Sequence, residues 1–264
     1  MDNRKKKFIR ELCARGRARR ESGLFVVDGP KMCSEVPLEI VKEVYVTKDF
    51  LASAYYPVCS GLLQKNRYEV VSASDMEKMS DTVTPQGILV VAEQKKAVTL
   101  ESMTDTAGPA LLLILETIQD PGNLGTMFRA AEAAGATGII MNAETVDPYS
   151  PKVVRSTMGS IFRVPFLITE DLGRTVTLLK SPKGSAQPPV QVIATDLTAV
   201  KSYRDVDYSM PTAVMIGNES KGLSQTMKEL ANEKVIIPMK GKVESLNAAM
   251  SATIMLFEAS GERR

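Results

Sequence analysis

The sequence predicts an α/β protein of two domains, the second built on a parallel sheet. Three observations predict it. Residues 111–115 (LLLIL) and 213–216 (AVMI) are apolar at every position, as strands buried on both faces of a parallel sheet must be. Such runs alternate with helix-length segments, a βα order that favours helices on both faces of the sheet. The 264 residues exceed an average domain, and residues 94–108 (QKKAVTLESMTDTAG) have weak apolar content and no period, as a linker would. The expected division is a smaller α/β domain over residues 1–93, a linker over 94–108 and a second α/β domain over 109–264.

Residues 3–18 are expected to be helical, with Phe8, Ile9 and Leu12 as a thin apolar stripe among basic side chains. Strands are expected at 24–27, 40–46, 68–71 and 88–91, with helices near 50–55 and 74–80. In the second domain the strand at 111–115 runs into the turn Asp120-Pro121-Gly122-Asn123. There Asn123 is the expected N-cap of a helix carrying Met127, Phe128, Ala130, Ala131 and Ala134. Gly135 stops that helix. A strand at 138–141, a helix at 151–158 with proline in its first turn, a helix at 171–180, an exposed loop at 183–189 and a strand at 190–195 follow. The strands at 213–216 and 235–237 each break off into a loop rich in Gly, Asn, Ser and Glu, and an apolar helix ends the chain. Open α/β sheets bind ligands beyond the carboxyl ends of their strands. That rule singles out Gly217-Asn218-Glu219, Pro238-Met239-Lys240-Gly241 and Ser245-Leu246-Asn247.

Composition narrows the chemistry. No run of about 18 apolar residues is present, so no membrane span is expected, and the charged N-terminal residues do not read as a secretory signal. Cys13, Cys33 and Cys59 are widely spaced, with no C-x-x-C. That fits a reducing cytoplasm and argues against disulfides or a zinc site. The chain has no histidine, so the usual general base and metal ligand are missing, and no metal is expected. The net charge of +2 hides an uneven distribution: residues 1–20 carry nine Lys or Arg against Asp2 and Glu11. Concentrated positive charge suits a polyanion; a solvated terminal helix is the other reading. The cluster Lys152, Arg155 and Arg163 is open to the same two readings.

Taken singly, the site candidates are ambiguous. On a helix Gly125 and Arg129 share a face, with Asn123 at the N-terminal rim, so Arg129 could grip a phosphate or ribose there. Glu219, between Gly217 and Gly222, is either a turn residue or a carboxylate orienting Arg129 through a bidentate pair. Ser245 and Asn247 are either helix caps or site residues. Leu246, Met250, Ile254 and Phe257 follow helical spacing and read as core.

Together these stretches, LETIQDPGNLGTMFRAAEAAGA, IGNESKGLS and IIPMKGKVESLNAAMSA, resemble the three motifs of the SpoU (TrmH-like) RNA ribose methyltransferases of the SPOUT superfamily. The resemblance covers about residues 110–260. The N-terminal part, with basic residues ahead of GLFVVDGPKMCSEV, looks like the RNA substrate-binding domain that precedes the catalytic domain in many members. Glu132 stands where relatives usually carry Asp, and Asp28-Gly29 where Glu-Gly is commoner; neither change removes a chemical group that the reading needs.

The resemblance implies a deep trefoil knot at the C-terminal end of the parallel-sheet domain, which general topology rules would not suggest. It implies S-adenosylmethionine as cofactor, with Gly217, Ile237 and Leu246 offering backbone contacts and Met239, Gly241 and Thr195 nearby. It implies a homodimer, and methyl transfer to a ribose 2′-hydroxyl of structured RNA, ribosomal RNA first. Arg129, Asn123, Glu219, Ser245 and Asn247 would form the catalytic set. Members' arginine has been assigned as the base, but a guanidinium stays charged at neutral pH. Positioning and stabilising the incipient alkoxide are the safer roles for Arg129. Arg4, Lys5, Lys6, Lys7, Arg10, Arg15 and Arg155 would face RNA. A transfer-RNA methyltransferase and a non-catalytic RNA-binding protein retaining the fold remain the alternatives.

Overall fold

The structure, a computed structural model, describes residues 1–95, 98–181 and 188–261. It divides into two compact units. One comprises Met1–Lys96 with Asp147–Phe162, the other Ala97–Val146 with Arg163–Arg264. The first unit therefore also takes in a stretch that lies, by number, inside the expected second domain.

The first unit opens with α1 (Asn3–Ala14) and α2 (Gly16–Ser22) where a single helix over 3–18 was expected. Arg15, at φ −128° and ψ 116°, is extended and separates them. Then come β1 (Leu24–Asp28), α3 (Pro30–Ser34), β2 (Val41–Thr47), α4 (Lys48–Leu51), α5 (Tyr56–Lys65), β3 (Tyr68–Val71), α6 (Ala73–Met79) and β4 (Ile88–Glu93). The sheet runs β1-β4-β2-β3, antiparallel except where β2 and β3 pair in parallel. Ile9, Leu12 and Cys13 of α1 and Met76 and Met79 of α6 cover one face, against Val26, Tyr45, Leu89 and Val91. Helix α5, whose Cys59, Leu62 and Leu63 are buried, was not expected from the sequence.

Residues 147–162 join this unit through defined contacts. The ring of Tyr149 lies 4.8 Å and that of Phe162 6.4 Å from Phe25 on β1. Arg19, only 4% exposed, forms an ion pair with Asp147 at 2.7 Å and donates to the carbonyls of Leu12 and Cys13. Burying an arginine costs several kcal/mol of desolvation, roughly, unless its donors are matched in this way.

The second unit contains α7 (Leu100–Thr104), β5 (Leu111–Leu115), α8 (Pro121–Ala133) and β6 (Gly138–Asn142). Helix α9 (Pro151–Thr157) lies in the first unit's segment; the second unit resumes with β7 (Phe166–Thr169), α10 (Leu172–Lys180), β8 (Gln191–Thr195), β9 (Thr212–Ile216), α11 (Gln225–Leu230), β10 (Glu233–Val235) and α12 (Ala248–Gly261). The six strands run β10-β8-β9-β5-β6-β7 and are parallel throughout, as the apolar runs predicted. Successive side chains point to opposite faces. Leu112, Ile114, Val192, Ala194, Ala213 and Met215 thus meet Met103, Val176, Leu179 and Met227 on one side, while α12 packs on α8, β9 and β5 on the other. Helix α7, capped by Thr99 with Met103 fully buried, occupies part of the expected linker. The loop expected at 183–189 lies mostly outside the described residues.

Candidate active site

The chain order reverses between β5 and β9: β6 and β7 build outward on one side of β5, and β8 and β10 lie beyond β9. Loops leaving the carboxyl ends of neighbouring strands diverge at such a point and leave a crevice. Here the loops after β8, β9 and β10, with the start of α12, enclose a pocket of about 330 Å³, within the size range of small-molecule sites. Thr195, Gly217, Glu219, Ile237, Met239, Ser245 and Leu246 all line it.

Glu219 is the node of the arrangement. Its carboxylate accepts from the backbone N–H of Gln119 at 3.1 Å, from that of Asp120 at 3.0 Å and from Asn123 Nδ2 at 3.0 Å. Asn123 Oδ1 accepts in turn from Asn247 Nδ2 at 2.9 Å. The three sequence motifs, distant along the chain, are thus tied by consecutive hydrogen bonds. Asn247 also accepts from the backbone N–H of Ala249 and Met250, so it caps α12 and reaches Asn123 at once.

These partners correct two expectations. Glu219 does not pair with Arg129, because its oxygens are filled by amide donors. Asn123 is not the cap of α8: Asp120 accepts from the Asn123 N–H at 2.8 Å and the helix begins at Pro121. That frees the Asn123 amide for Glu219 and Asn247. Gly125 is buried while Arg129 is exposed, so the two do not form one open face. Arg129 is not in the pocket lining and has no hydrogen bond or ion pair among the described residues. It lies about 9 Å along α8 from Asn123, at 1.5 Å per residue. Gly241 also lies outside the lining and faces open space.

Burial raises the affinity of the Glu219 carboxyl for its proton, but hydrogen bonds from Asn123, Asp120 and Gln119 outweigh it and hold the group below its usual range. A carboxyl depressed on folding stabilises fully above its unfolded value, about 4.3, and loses that contribution as pH falls through the folded value. Glu219→Gln is therefore expected to melt at a lower temperature than wild type at pH 7. The two curves should converge on acidification below about pH 4; calorimetric scans from pH 3 to 8 check this, and parallel curves would contradict it.

The pocket also contains residues that sequence reasoning passed over. Lys228 Nζ meets Asp196 Oδ1 at 3.1 Å, and Asp196 also accepts from the N–H and hydroxyl of Thr198. Asp196 directly follows β8, so the strand-end rule could have found it; Lys228, on α11, gave no local signal. Asn218 shapes the loop after β9 by exchanging two backbone hydrogen bonds with Gly222 while its side chain accepts from Ser220 and Lys221 and donates to the Thr117 carbonyl. Gly217 is required for a reason other than ligand approach. A Cβ there would stand 2.1 Å from the Gly222 carbonyl carbon and 2.2 Å from Leu223 N.

The basic residues predicted to face RNA separate into two sets in the first unit. Lys5 pairs with Glu43 at 3.0 Å, Lys6 with Asp75 at 2.8 Å and Arg155 with Asp81 at 3.2 Å, and Arg10 donates to the Ser80 carbonyl. Arg4, Lys7 and Arg15 are exposed, with no side-chain hydrogen bond or ion pair among the described residues. Lys7 and Arg15 line a surface groove with Lys6, Arg10 and Lys78. No group of side chains suited to a metal ion occurs among the described residues, and no helix among them is long and apolar enough to cross a membrane.

Comparison with known proteins gives a consistent picture. Residues 110–257 match the SpoU rRNA Methylase family, and residues 3–90 match the MRM3-like substrate binding domain. A protein of Synechocystis named an uncharacterized tRNA/rRNA methyltransferase is 39% identical over 192 residues, 72% of this chain and 66%, just under two thirds, of that relative. The 23S rRNA (guanosine-2'-O-)-methyltransferase RlmB of Bordetella pertussis is 33% identical over 75% of this chain and 79% of its own. The crystal structure of the SpoU methyltransferase AviRb from Streptomyces viridochromogenes, in complex with AdoMet, superposes with a TM-score of 0.86 at 27% identity, over 99% of this chain and 98% of that one.

Proposed function

The chain belongs to the SpoU rRNA Methylase family, and from that premise we propose that it transfers a methyl group from S-adenosylmethionine to a ribose 2′-hydroxyl of structured RNA, ribosomal RNA first. The observation that carries the reading is the Glu219–Asn123–Asn247 chain at the rim of the pocket. It supports three loops acting as one site.

The residues present fit the cofactor. The backbone N–H groups of Gly217, Ile237 and Leu246 have no partner among the described residues, and all three residues line the pocket. Gly217 is buried, and a buried amide without a partner is rare in a folded chain unless a ligand takes it. Ile237 and Leu246 are partly exposed and offer their amides from the pocket's edge. Ile216, Leu223, Ile236, Ile237 and Leu246 supply an apolar wall for a flat ring, and Ser245 adds a hydroxyl. When bound, S-adenosylmethionine supplies an electrophilic methyl on a sulfonium, so neither a metal nor a protein nucleophile is needed. This chain's residues hold the reactants in line. Asn123, fixed from both sides, presents its amide at the rim, and Arg129 reaches the ribose or its phosphate from α8 as a fixed positive charge beside the developing alkoxide. Gly241 and Met239 belong to the loop that borders the cofactor.

A homodimer and a cytoplasmic location are part of the proposal. The outward face of α12 supports a second copy as partner: Met250 and Phe257, read from their spacing as core, are instead 59% and 49% exposed and lie with Ile254 on one stripe. Three free, buried cysteines support a reducing compartment. The knot is supported by the course of residues 236–247, which leave β10, border the loop 217–223 and continue into α12.

The test supplies S-adenosylmethionine with a labelled methyl to ribosomal and transfer RNA separately, followed by digestion to nucleosides. Label on ribose in ribosomal RNA is expected. Label on a base would overturn the ribose assignment, label in transfer RNA alone would change the substrate, and no label with RNA still bound would favour a non-catalytic binder.

RNA binding is proposed to centre on the groove beside α1, where Lys7, Arg15 and Lys78 have no side-chain hydrogen bond or ion pair among the described residues. Converting the three to alanine should flatten the dependence of log affinity on log salt by about 0.7–0.9 for each phosphate no longer neutralised. Cofactor affinity should not change. An unaltered slope in filter binding across salt concentrations would return α1 to a solvated helix.

A further inference from the structure

Between β5 and α8 the chain turns at Thr117, a β-branched residue at φ +58°. Non-glycine residues seldom occupy that left-handed region, and a β-branched one there must be held by its surroundings. Three hydrogen bonds hold it. The Thr117 N–H donates to Asn142 Oδ1 at 2.7 Å, its hydroxyl oxygen accepts from Asn142 Nδ2 at 2.7 Å, and its carbonyl accepts from Asn218 Nδ2 at 2.9 Å. Asn142, last residue of β6 and 9% exposed, is fixed in turn. Its Oδ1 also accepts from Thr145 Oγ1 at 2.8 Å, and Thr145 Oγ1 accepts from the Ile118 N–H at 3.2 Å.

The next two residues after Ile118 are Gln119 and Asp120, whose N–H groups bind Glu219. We propose that Asn142 is a positioning residue for the methyl transfer: by holding Thr117 left-handed it aims the Gln119 and Asp120 amides at Glu219, and through Glu219 it sets Asn123. The inference rests on the proposed function, and it adds a residue that none of the three motifs contains. Neither Asn142 nor Thr117 lines the pocket, so the role is exerted through the turn alone. Releasing Thr117 to a negative φ rotates the following peptide planes and turns both amides away from the carboxylate.

The test uses Asn142→Ala, Thr117→Gly and the double variant. Glycine takes a positive φ without penalty, so Thr117→Gly should restore what Asn142→Ala removes. Asn142→Ala is expected to lower kcat about tenfold or more, with the KM for the cofactor unchanged. Thr117→Gly should stay near wild type and the double variant should recover most of the rate. Hydrogen exchange at the Gln119 and Asp120 amides gives a second readout that needs no activity: protection falls in Asn142→Ala and returns in the double variant. Thr145→Val, which removes one hydroxyl, covers the case that Asn142→Ala does not fold and should show a smaller loss of the same protection. Unchanged protection at those amides, or a loss that Thr117→Gly does not restore, overturns the proposal. An inactive wild type with the exchange pattern as expected would count against the methyl transfer and leave the positioning standing.

Discussion

Gly217→Ala yields a protein that no longer binds S-adenosylmethionine. The added methyl group would lie 2.1–2.4 Å from the backbone of Gly222 and Leu223, where ordinary van der Waals separation begins near 3.4 Å. Backbone cannot rotate aside as the tip of a side chain can, so the loop 218–222 must move as a body. Loop motion of that size breaks the Asn218–Gly222 pair and withdraws Glu219 from its donors. Overpacking costs about 1–3 kcal/mol, and more where the obstacle is fixed. Gly222→Ala is the control. Gly222 lies at φ +68° with no atom within 4 Å of the new methyl, so the cost there is backbone strain alone, about 1–2 kcal/mol. Titration calorimetry should find no binding in the first variant and weakened binding in the second. Equal affinities would mean that the loop is not the rigid wall described.

Arg129→Ala leaves the fold intact and removes the reaction. The side chain is exposed on α8, with no partner among the described residues, so melting temperature and cofactor affinity should stay at wild-type values. Loss of one fixed positive charge or donor beside a developing oxyanion costs about a hundredfold to a thousandfold in kcat. Arg129→Lys separates two roles. A lysine recovers charge without the planar fork, so partial recovery points to electrostatic stabilisation and none points to bidentate positioning. Single-turnover methyl transfer measures both. A variant as active as wild type would remove Arg129 from the site and leave Asn123, Ser245 and Asn247 to hold the ribose.

The parallel sheet was legible in its central strands, where burial on both faces leaves few polar positions. Leu111–Leu115 reads off directly, and Thr212–Ile216 to within a residue. Helix α5 was hidden by Pro57 and Gly61, residues that usually break helices; Pro57 instead occupies the helix's first turn. Edge strand β7 has only four residues, with Phe166 alone among them buried, and its pattern is too short to separate from loop. In the site, the sequence singled out loops whose Glu219, Asn123 and Asn247 the structure brings together, and it misjudged some of their partners. Glu219 was open to two readings, a turn residue or a partner for a guanidinium, and it meets two peptide amides instead, because a carboxylate's sequence neighbours do not reveal which donors the fold brings to it. Gly217 was singled out for a backbone contact to a cofactor, and its missing side chain also makes room for the protein's own chain at Gly222 and Leu223. Thr117 carried no signal, since its left-handed turn is imposed by Asn142 and Asn218 from distant parts of the chain.

The path of residues 147–162 bears on how this molecule could be dissected or recombined. The polypeptide leaves the second unit after Val146 and returns at Arg163, so three peptide links, and not one, join the halves. A protease nicking the chain near residue 96 would release neither half. A fragment starting beyond that point would carry α9 along with Tyr149 and Phe162 bereft of Phe25, an apolar surface that invites aggregation. Swapping the N-terminal half between relatives as a cassette would fail for the same reason unless the 147–162 excursion travelled with it.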